Sequence, residues 1–459
     1  MMQNLFRKFR RFFSKKPNYT RSISDQAVRI SRDDHEISRQ HIDKSALDVL
    51  YSLKRAGYEA YLVGGGVRDL LLGLEPKDFD VVTNASPDEI KAVFKHRCQL
   101  IGRRFRLAHV RFGRQVIEVA TFRGEEDGSE RQVDAAGRLI RDNVYGSMDE
   151  DVWRRDFTVN ALYYDITDFS LVDYVEGLDD LDDGLLRLIG DPETRYREDP
   201  VRMIRAIRFA AKLGFAIEPA TEKPLFHLGP LLEDVSHARM FEEVLKLFHS
   251  GVAVEVFEKL RHYDLFRHLF PLTDAMLTTE LDHFPRRLVL EALKSTDARI
   301  QEDKPVNPAF LFAALLWEPM LQRMQKHLAG GMIEQDALYA AANDVIEQQI
   351  RRTAIPKRFT AQMRDIWNLQ FRLPKRFGAR AQQLRAHPRF RAAYDFIGIR
   401  VAAGEDELAE LFDWWTAYQE KDPLEQVAFA NTMERPARPK RRRSGRNFYR
   451  RKREDGSDE

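Results

Sequence analysis

The stretch Leu62-Val63-Gly64-Gly65-Gly66-Val67-Arg68-Asp69, followed by Lys77-Asp78-Phe79-Asp80-Val81-Val82, decides the fold of the first half of this chain. The apolar run Tyr58–Val63 predicts a strand, the three glycines end it, and a helix begins at Val67. Glycines let backbone N–H groups approach an anion closely, and a helix N-terminus adds partial positive charge. The pattern reads as a phosphate-binding turn, although it lacks the glycine-lysine-serine/threonine ending of a Walker A loop. A tight turn alone would also explain three glycines. Asp78 and Asp80 add the chemistry. On a strand, residues two apart share a face, separated by roughly 6.5 Å along the chain. Two such carboxylates repel each other unless a cation sits between them. The spacing suits two Mg²⁺ ions about 3.5–4 Å apart, with Mn²⁺ as a substitute. A bare Asp-x-Asp is more often two solvated aspartates, and the glycine turn upstream is what favours metal. A third acidic group is expected. Asp156 and Glu118 are both candidates, each could instead pair with an arginine, and the residues alone do not choose.

Outward from this stretch, strand-like runs recur at Phe79–Thr83, Leu107–Phe112, Val116–Ala120, Leu162–Asp165 and Leu171–Tyr174. Helical patterns lie at 43–56, Val67–Leu72 and Pro87–Phe94. After about residue 195 the strands are expected to stop. Helical periodicity then covers Pro200–Leu213, Ala238–Ser250, Val252–His262, Pro308–Leu316 and Ala361–Leu373. The fold class is therefore α+β: a mixed-sheet head, then an all-helical neck and body, with disordered basic termini. The expected divisions are a basic mobile arm (1–41), a catalytic head (42–190), a neck (191–255), a helical body (256–425) and a disordered basic tail (426–459).

The 459 residues are 43% hydrophobic and 32% charged, a composition able to build cores under a highly charged surface. The formal net charge of +2 hides strong patterning. Cys98 is the one cysteine, which excludes an intramolecular disulfide and fits a reducing cytoplasm. No apolar run reaches the roughly 18 residues of a membrane span, and the N-terminus has no secretory-signal core. Leu5, Phe6, Phe9, Phe12 and Phe13 recur there at helical spacing between basic residues. Such an arm fits either peripheral contact with an anionic membrane or a disordered tail. Arg441, Arg442 and Arg443 belong to a second basic segment, where arginines and lysines have almost nothing apolar to pack against.

Four blocks in order carry a resemblance. The glycine turn with Asp78-Phe79-Asp80 resembles the class II branch of the polymerase-beta-like nucleotidyltransferases, which holds the bacterial poly(A) polymerases and the CCA-adding tRNA enzymes. Arg154-Arg155-Asp156-Phe157-Thr158-Val159-Asn160-Ala161 resembles that family's ribose-site block, and Glu198-Asp199-Pro200-Val201-Arg202-Met203-Ile204-Arg205 its nucleobase block. Arg205-Ala206-Ile207-Arg208-Phe209-Ala210 continues the same helix. The resemblance implies that Asp78 and Asp80 hold the metals and that Gly64, Gly65 and Arg68 take a nucleoside triphosphate. It makes Asp156 the third functional carboxylate. Asp199 and Arg202 would read the base edge, Asp accepting from the adenine amino group while Arg donates. An intrahelical salt bridge is the plainer explanation of that pair.

Poly(A) and CCA addition share all these blocks. Leu100-Ile101-Gly102-Arg103-Arg104-Phe105-Arg106-Leu107-Ala108-His109-Val110 resembles the stretch that marks bacterial poly(A) polymerases off from CCA enzymes. It sets Arg103, Arg104 and Arg106 where RNA would pass. The basic tail suits many RNAs rather than one folded tRNA, because counterion release is sequence-blind. The expected function is template-independent addition of AMP from ATP to RNA 3′ ends, in the service of bacterial RNA decay. A CCA-adding enzyme and a non-catalytic RNA-binding scaffold are the alternatives. RNA 3′ ends and ATP are the expected partners, joined by RNA-decay proteins, for a monomer that is cytoplasmic and in part membrane-associated.

Overall fold

The computed structural model describes residues 27–102, 106–124, 132–133, 139–141, 145–278 and 284–433. Among the described residues twelve strands run in chain order: β1 Val28–Ile30, β2 Ala60–Val63, β3 Asp80–Thr83, β4 Cys98–Ile101, β5 Leu107–Phe112, β6 Gln115–Thr121, β7 Gln132–Val133, β8 Leu139–Arg141, β9 Tyr163–Asp165, β10 Leu171–Asp173, β11 Leu185–Leu186 and β12 Ala216–Ile217. Eight of them form one sheet in the order β1-β10-β9-β2-β3-β6-β5-β4. Every neighbouring pair is antiparallel except β3 and β6, which run parallel.

The helices of this part follow from local chemistry. They are α1 Lys44–Arg55, α2 Gly65–Leu71, α3 Pro87–Phe94, α4 Met148–Trp153, α5 Gly177–Asp183, α6 Pro192–Glu198 and α7 Val201–Leu213. Asp43 caps α1 by accepting from the Ser45 N–H at 2.7 Å, and Ala46, Val49, Leu50 and Leu53 bury its apolar stripe. Ser86 and Glu89 close a capping box around the start of α3, with Pro87 in its first turn. One face of the central sheet packs Tyr61, Val63, Val82, Tyr163 and Val172 against Met148 and Val152 of α4.

The chain divides into two compact units. The first holds the described residues up to Arg364 together with Ala402–Gly404. The second holds Asp365–Val401 and the described residues from Glu405 onward. Its core gathers Phe390, Tyr394, Trp414, Trp415 and Tyr418, with Phe390 and Trp415 ring centroids 4.9 Å apart.

Most expected elements are present, and four of the differences follow. The strands do not all stop near residue 195, because β12 pairs in parallel with β11. A two-residue strand has too little alternation to register in sequence. Residues 28–30, expected in a mobile arm, form the edge strand β1 against β10. β4 was not expected, since the polar Gln99 and the arginines after it hide its pattern. Helix Pro423–Asn431, capped by Asp422, extends past residue 425 into the expected tail. Residues 1–26 and 434–459, which carry the basic ends, lie outside the described residues. Among the described residues no helix is long and apolar enough to cross a membrane.

The short turn Thr158–Asn160 is held from behind by α5. Thr158 Oγ1 donates to Asp180 at 2.7 Å, and Arg187 Nε donates to the same carboxylate at 3.0 Å. A Cβ on Gly177 would lie 2.4 Å from the Thr158 carbonyl oxygen, with backbone on both sides of the contact. Gly177→Ala is therefore expected to lower stability by about 1–3 kcal/mol, read as a lower unfolding midpoint. An unchanged midpoint would mean α5 does not hold this turn.

Candidate active site

The centre of the site is built from neighbouring strand ends. Register pairs Val63 with Asp80 across β2 and β3, and Asp80 with Glu118 across β3 and β6. Parallel pairing thus brings a second acid beside Asp80, and Asp78 stands just before β3 begins. Gly64, with φ +76°, turns the chain from β2 into α2. A Cβ there would sit 3.8 Å from Asp80 Oδ2 and 3.9 Å from Arg155 Nη1, so the turn skirts both charges. A Cβ on Gly66 would come 3.2 Å from the Asp78 carbonyl oxygen, so its absence lets α2 approach the aspartate segment.

Asp80 keeps solvent contact while neighbouring protein displaces part of its hydration. Loss of hydration pushes its carboxyl up to about 6; the negative Glu118 and Asp78 add to the shift, and Arg155 opposes it. Glu118 is itself exposed and lies 3.3 Å from His109 Nε2. Among the described residues no group of three or more His, Cys, Asp and Glu side chains is gathered closely enough to hold a metal ion. Asp78, Asp80 and Glu118 are near enough to act on one another through charge. Such a set fits a hard divalent ion whose remaining ligands come from substrate and water.

Arg155 is held by a network of its own. Its Nε donates to the Tyr163 hydroxyl at 2.8 Å, and its Nη2 to Asp151 at 2.9 Å. The Tyr163 hydroxyl donates to the same Asp151 oxygen at 2.8 Å. These bonds leave Nη1 on the side of Gly64 and Asp80.

Asp156 is placed differently from the metal-site expectation. Its Oδ2 accepts from Arg205 Nε at 2.9 Å and from Arg205 Nη2. Its Oδ1 accepts from the Phe157 N–H at 2.8 Å and from Asn160 Nδ2 at 3.2 Å. Burial pushes this carboxyl up, but Arg205 and these donors prevail and hold it down to about 2. It is a saturated anchor between the head and α7. Arg68 is likewise not presented to the cleft. It is 2% exposed, and it donates to Asp69 at 2.6 Å and to Asn160 Oδ1 at 2.6 Å. A Cβ on Gly65 would meet the Arg68 guanidinium at 3.4 Å, so this glycine accommodates Arg68.

Asp199 and Arg202 sit where α6 gives way to α7, and their side chains take different partners. Asp199 Oδ2 accepts from Arg239 Nη2 at 2.7 Å. Arg202 Nη1 donates to the Arg195 carbonyl at 2.8 Å and to Glu198 at 3.2 Å. Arg195 in turn donates to the Arg155 carbonyl at 2.8 Å, linking α6 to the block that carries Asp156. Arg106 pairs with Asp88 at 3.2 Å on the surface. Arg103, Arg104, Arg441, Arg442 and Arg443 lie outside the described residues. Sequence reading assigned no role to Arg155 or Arg205, although both lie within blocks it singled out. Arg239 carried no signal at all, because it meets Asp199 from 40 residues away.

Three family models match the chain. Residues 60–187 match the family model described as "Poly A polymerase head domain". Residues 214–277 match "Probable RNA and SrmB- binding site of polymerase A", and 330–448 match "Polymerase A arginine-rich C-terminus". The chain is 49% identical over 453 residues to Poly(A) polymerase I of Salmonella typhi, covering 96% of this chain and 97% of that protein. A CCA-adding enzyme of Lactobacillus helveticus is 39% identical over 215 residues, 46% of this chain and 52% of that one. Among solved structures, the Bacillus stearothermophilus CCA-adding enzyme in complex with CTP aligns with a TM-score of 0.54 at 25% identity, covering 86% of this chain and 88% of that one.

The two perturbed carboxyls give opposite pH signatures. Asp80 is raised from 3.8 to about 6, so its contribution to stability is complete below pH 3.8 and is lost as pH rises through 6. Asp156 is lowered to about 2, so its contribution is present above pH 3.8 and is lost as pH falls toward 2. In EDTA, Asp80→Asn should flatten the fall in unfolding midpoint between pH 4 and 6.5 (roughly the titration window), and divalent ion should flatten it in the parent. An identical profile in the variant would show that the Asp80 carboxyl is not raised.

Proposed function

The chain belongs to the poly(A) polymerase family, and from that premise we infer how its cleft divides the work. The chain is a polynucleotide adenylyltransferase that moves AMP from ATP to RNA 3′-hydroxyls without a template. The alternative of CCA addition is the weaker one, since the CCA-adding relative from Lactobacillus helveticus aligns over only about half of either chain.

The observation that carries the residue assignment is the crowding of Asp78, Asp80 and Glu118 at the end of the parallel β3–β6 pair. We propose that these three, with Glu118 rather than Asp156 as the third, hold two Mg²⁺ ions, Mn²⁺ being a fair substitute. Bound there, such ions supply acidification of the 3′-hydroxyl and neutralisation of the triphosphate. Gly64 leaves room for a phosphate beside Arg155 Nη1, whose fixed guanidinium balances charge on the leaving pyrophosphate. Arg68 supports that turn from below through Asp69 and Asn160. The 3′ oxygen attacks the α-phosphorus in line, its bond to phosphorus replacing the one to the departing pyrophosphate. Asp156 positions the ribose-side block by anchoring it to Arg205.

Asp199 and Arg202 are proposed to read adenine, with Arg239 fixing the Asp199 carboxylate. The division into arm, head, neck, body and tail, RNA binding by Arg103, Arg104, Arg106 and the tail arginines, service to RNA decay with its proteins, a monomeric state and a cytoplasmic, partly membrane-associated location belong to the same proposal.

Asp80→Asn should lower AMP transfer to oligo(A) by at least about a thousandfold while RNA binding persists, because a lost metal ligand removes several kcal/mol of transition-state stabilisation. A rate within about tenfold of the parent contradicts the assignment. Arg239→Ala frees Asp199 to swing. It should reduce ATP-over-CTP discrimination by roughly 1–3 kcal/mol, measured as the ratio of kcat/KM values. Equal loss with both nucleotides would place the base pocket elsewhere.

A further inference from the structure

Helix α7 carries Arg202, Arg205, Arg208 and Lys212, spaced three, three and four residues apart and therefore on one face. The line spans about 15 Å. Its first two members are paired with acids, Arg202 with Glu198, which Arg195 shares, and Arg205 with Asp156. Its last two are not: among the described residues neither Arg208 nor Lys212 closes an ion pair, and Arg208 Nε is buried without a partner.

Like charges are also forced together at this end. The guanidinium carbons of Arg68, Arg205 and Arg208 lie 5.3, 5.3 and 4.5 Å from the centre of the Phe209 ring. Burial, followed by the charge of Arg205, pulls Arg208 down to about 10. Burial and the charges of Arg68, Arg208 and Lys77 also lower Lys212, against the attraction of Asp69. Glu243, the other acid near Arg208, is shared with Lys246 at 2.9 Å. A half-buried cation without a counterion is costly, and an arriving anion relieves that cost. Lys77, next to Asp78, contributes to the field at Lys212.

We propose that Arg208 and Lys212 form a phosphate track for the RNA primer, holding two phosphodiesters close to its 3′ end. The inference rests on the adenylyltransferase reading above, which already gives the ATP triphosphate its own place at Gly64 and Arg155. One helical turn separates the two cations, about 6 Å along the axis, which suits neighbouring phosphates of a single strand. Guanidinium and ammonium groups bind such oxygens without regard to base. The track therefore adds affinity at the growing end independently of the sequence being extended.

The test is equilibrium binding of fluorescent oligo(A) RNA to the full chain, without ATP, at several salt concentrations. Arg208→Gln and Lys212→Gln should each weaken binding about fivefold, and together they should reduce the slope of log K against log[salt] by about 1.4, at about 0.7 per phosphate. Arg208→Lys, which keeps the charge, should restore most of the loss. In steady state the double variant should raise KM for RNA and leave KM for ATP within about twofold. Unchanged affinity and slope in Lys212→Gln and the double variant overturn the proposal, as does a rise in KM for ATP alone, which would assign the cations to the triphosphate. Loss of RNA affinity equal in Arg208→Gln and Arg208→Lys, with a lower unfolding midpoint, would make Arg208 structural and also overturn it. Binding without ATP does not depend on the metal assignment, so failure here is separable from retained activity in Asp80→Asn, which would overturn the catalytic reading.

Discussion

The arrangement depends on one electrostatic constraint: Asp80 and Glu118 are opposed on adjacent parallel strands, Asp78 stands just ahead, and too little positive charge faces them. Sheet hydrogen bonding fixes the strand ends, so the carboxylates cannot separate by moving the backbone. Relief has to come from protons or cations. Burial raises the Asp80 carboxyl, and the negative Glu118 and Asp78 add to the shift. On the proposed reading, divalent ions are the functional form of that relief, and the open side of the cluster is where substrate oxygens complete their coordination.

Around this acidic centre the protein arranges arginines by role, and their hydrogen bonds distinguish the roles. Arg68 and Arg205 spend their donors on Asp69, Asn160 and Asp156, which ties the glycine turn and the Arg154–Ala161 block to helix α7. Arg155 is clamped by Asp151 and Tyr163 yet keeps one nitrogen on the cleft side. Among the described residues Arg208 Nε has no hydrogen-bond partner. Fixed arginines cost little reorganisation when charge develops beside them. Formal charge alone treats these groups as equivalent.

The sequence made the local parts of this picture readable. Helix Pro87–Phe94 has its expected bounds, because a serine cap, a proline and a capping glutamate mark its start. The strand–glycine–helix run and the Asp-x-Asp strand were equally visible, since periodicity and turn chemistry act over a few residues. Longer-range facts were hidden. Nothing local says that β6 lies parallel to β3, and that pairing is what favours Glu118 over Asp156 as the third acid beside Asp80. Asp156 and Arg205 meet across 49 residues, and Asp199 and Arg239 across 40. The resemblance implied Arg68 as a triphosphate ligand; in the structure its side chain is buried, because α2 turns that position inward. Edge strand β1 was missed because three residues carry too little pattern to set them apart from a basic arm.

The central claim is that Glu118, not Asp156, completes the metal-binding acids. The most direct measurement is a Mn²⁺ titration of the full chain followed by electron paramagnetic resonance, with Glu118→Gln and Asp156→Asn in parallel. The account predicts that Glu118→Gln weakens Mn²⁺ binding by about tenfold or more, while Asp156→Asn leaves it within about threefold, since a ligand is lost in one and an anchor in the other. Weakened binding in Asp156→Asn with Glu118→Gln unaffected would contradict it.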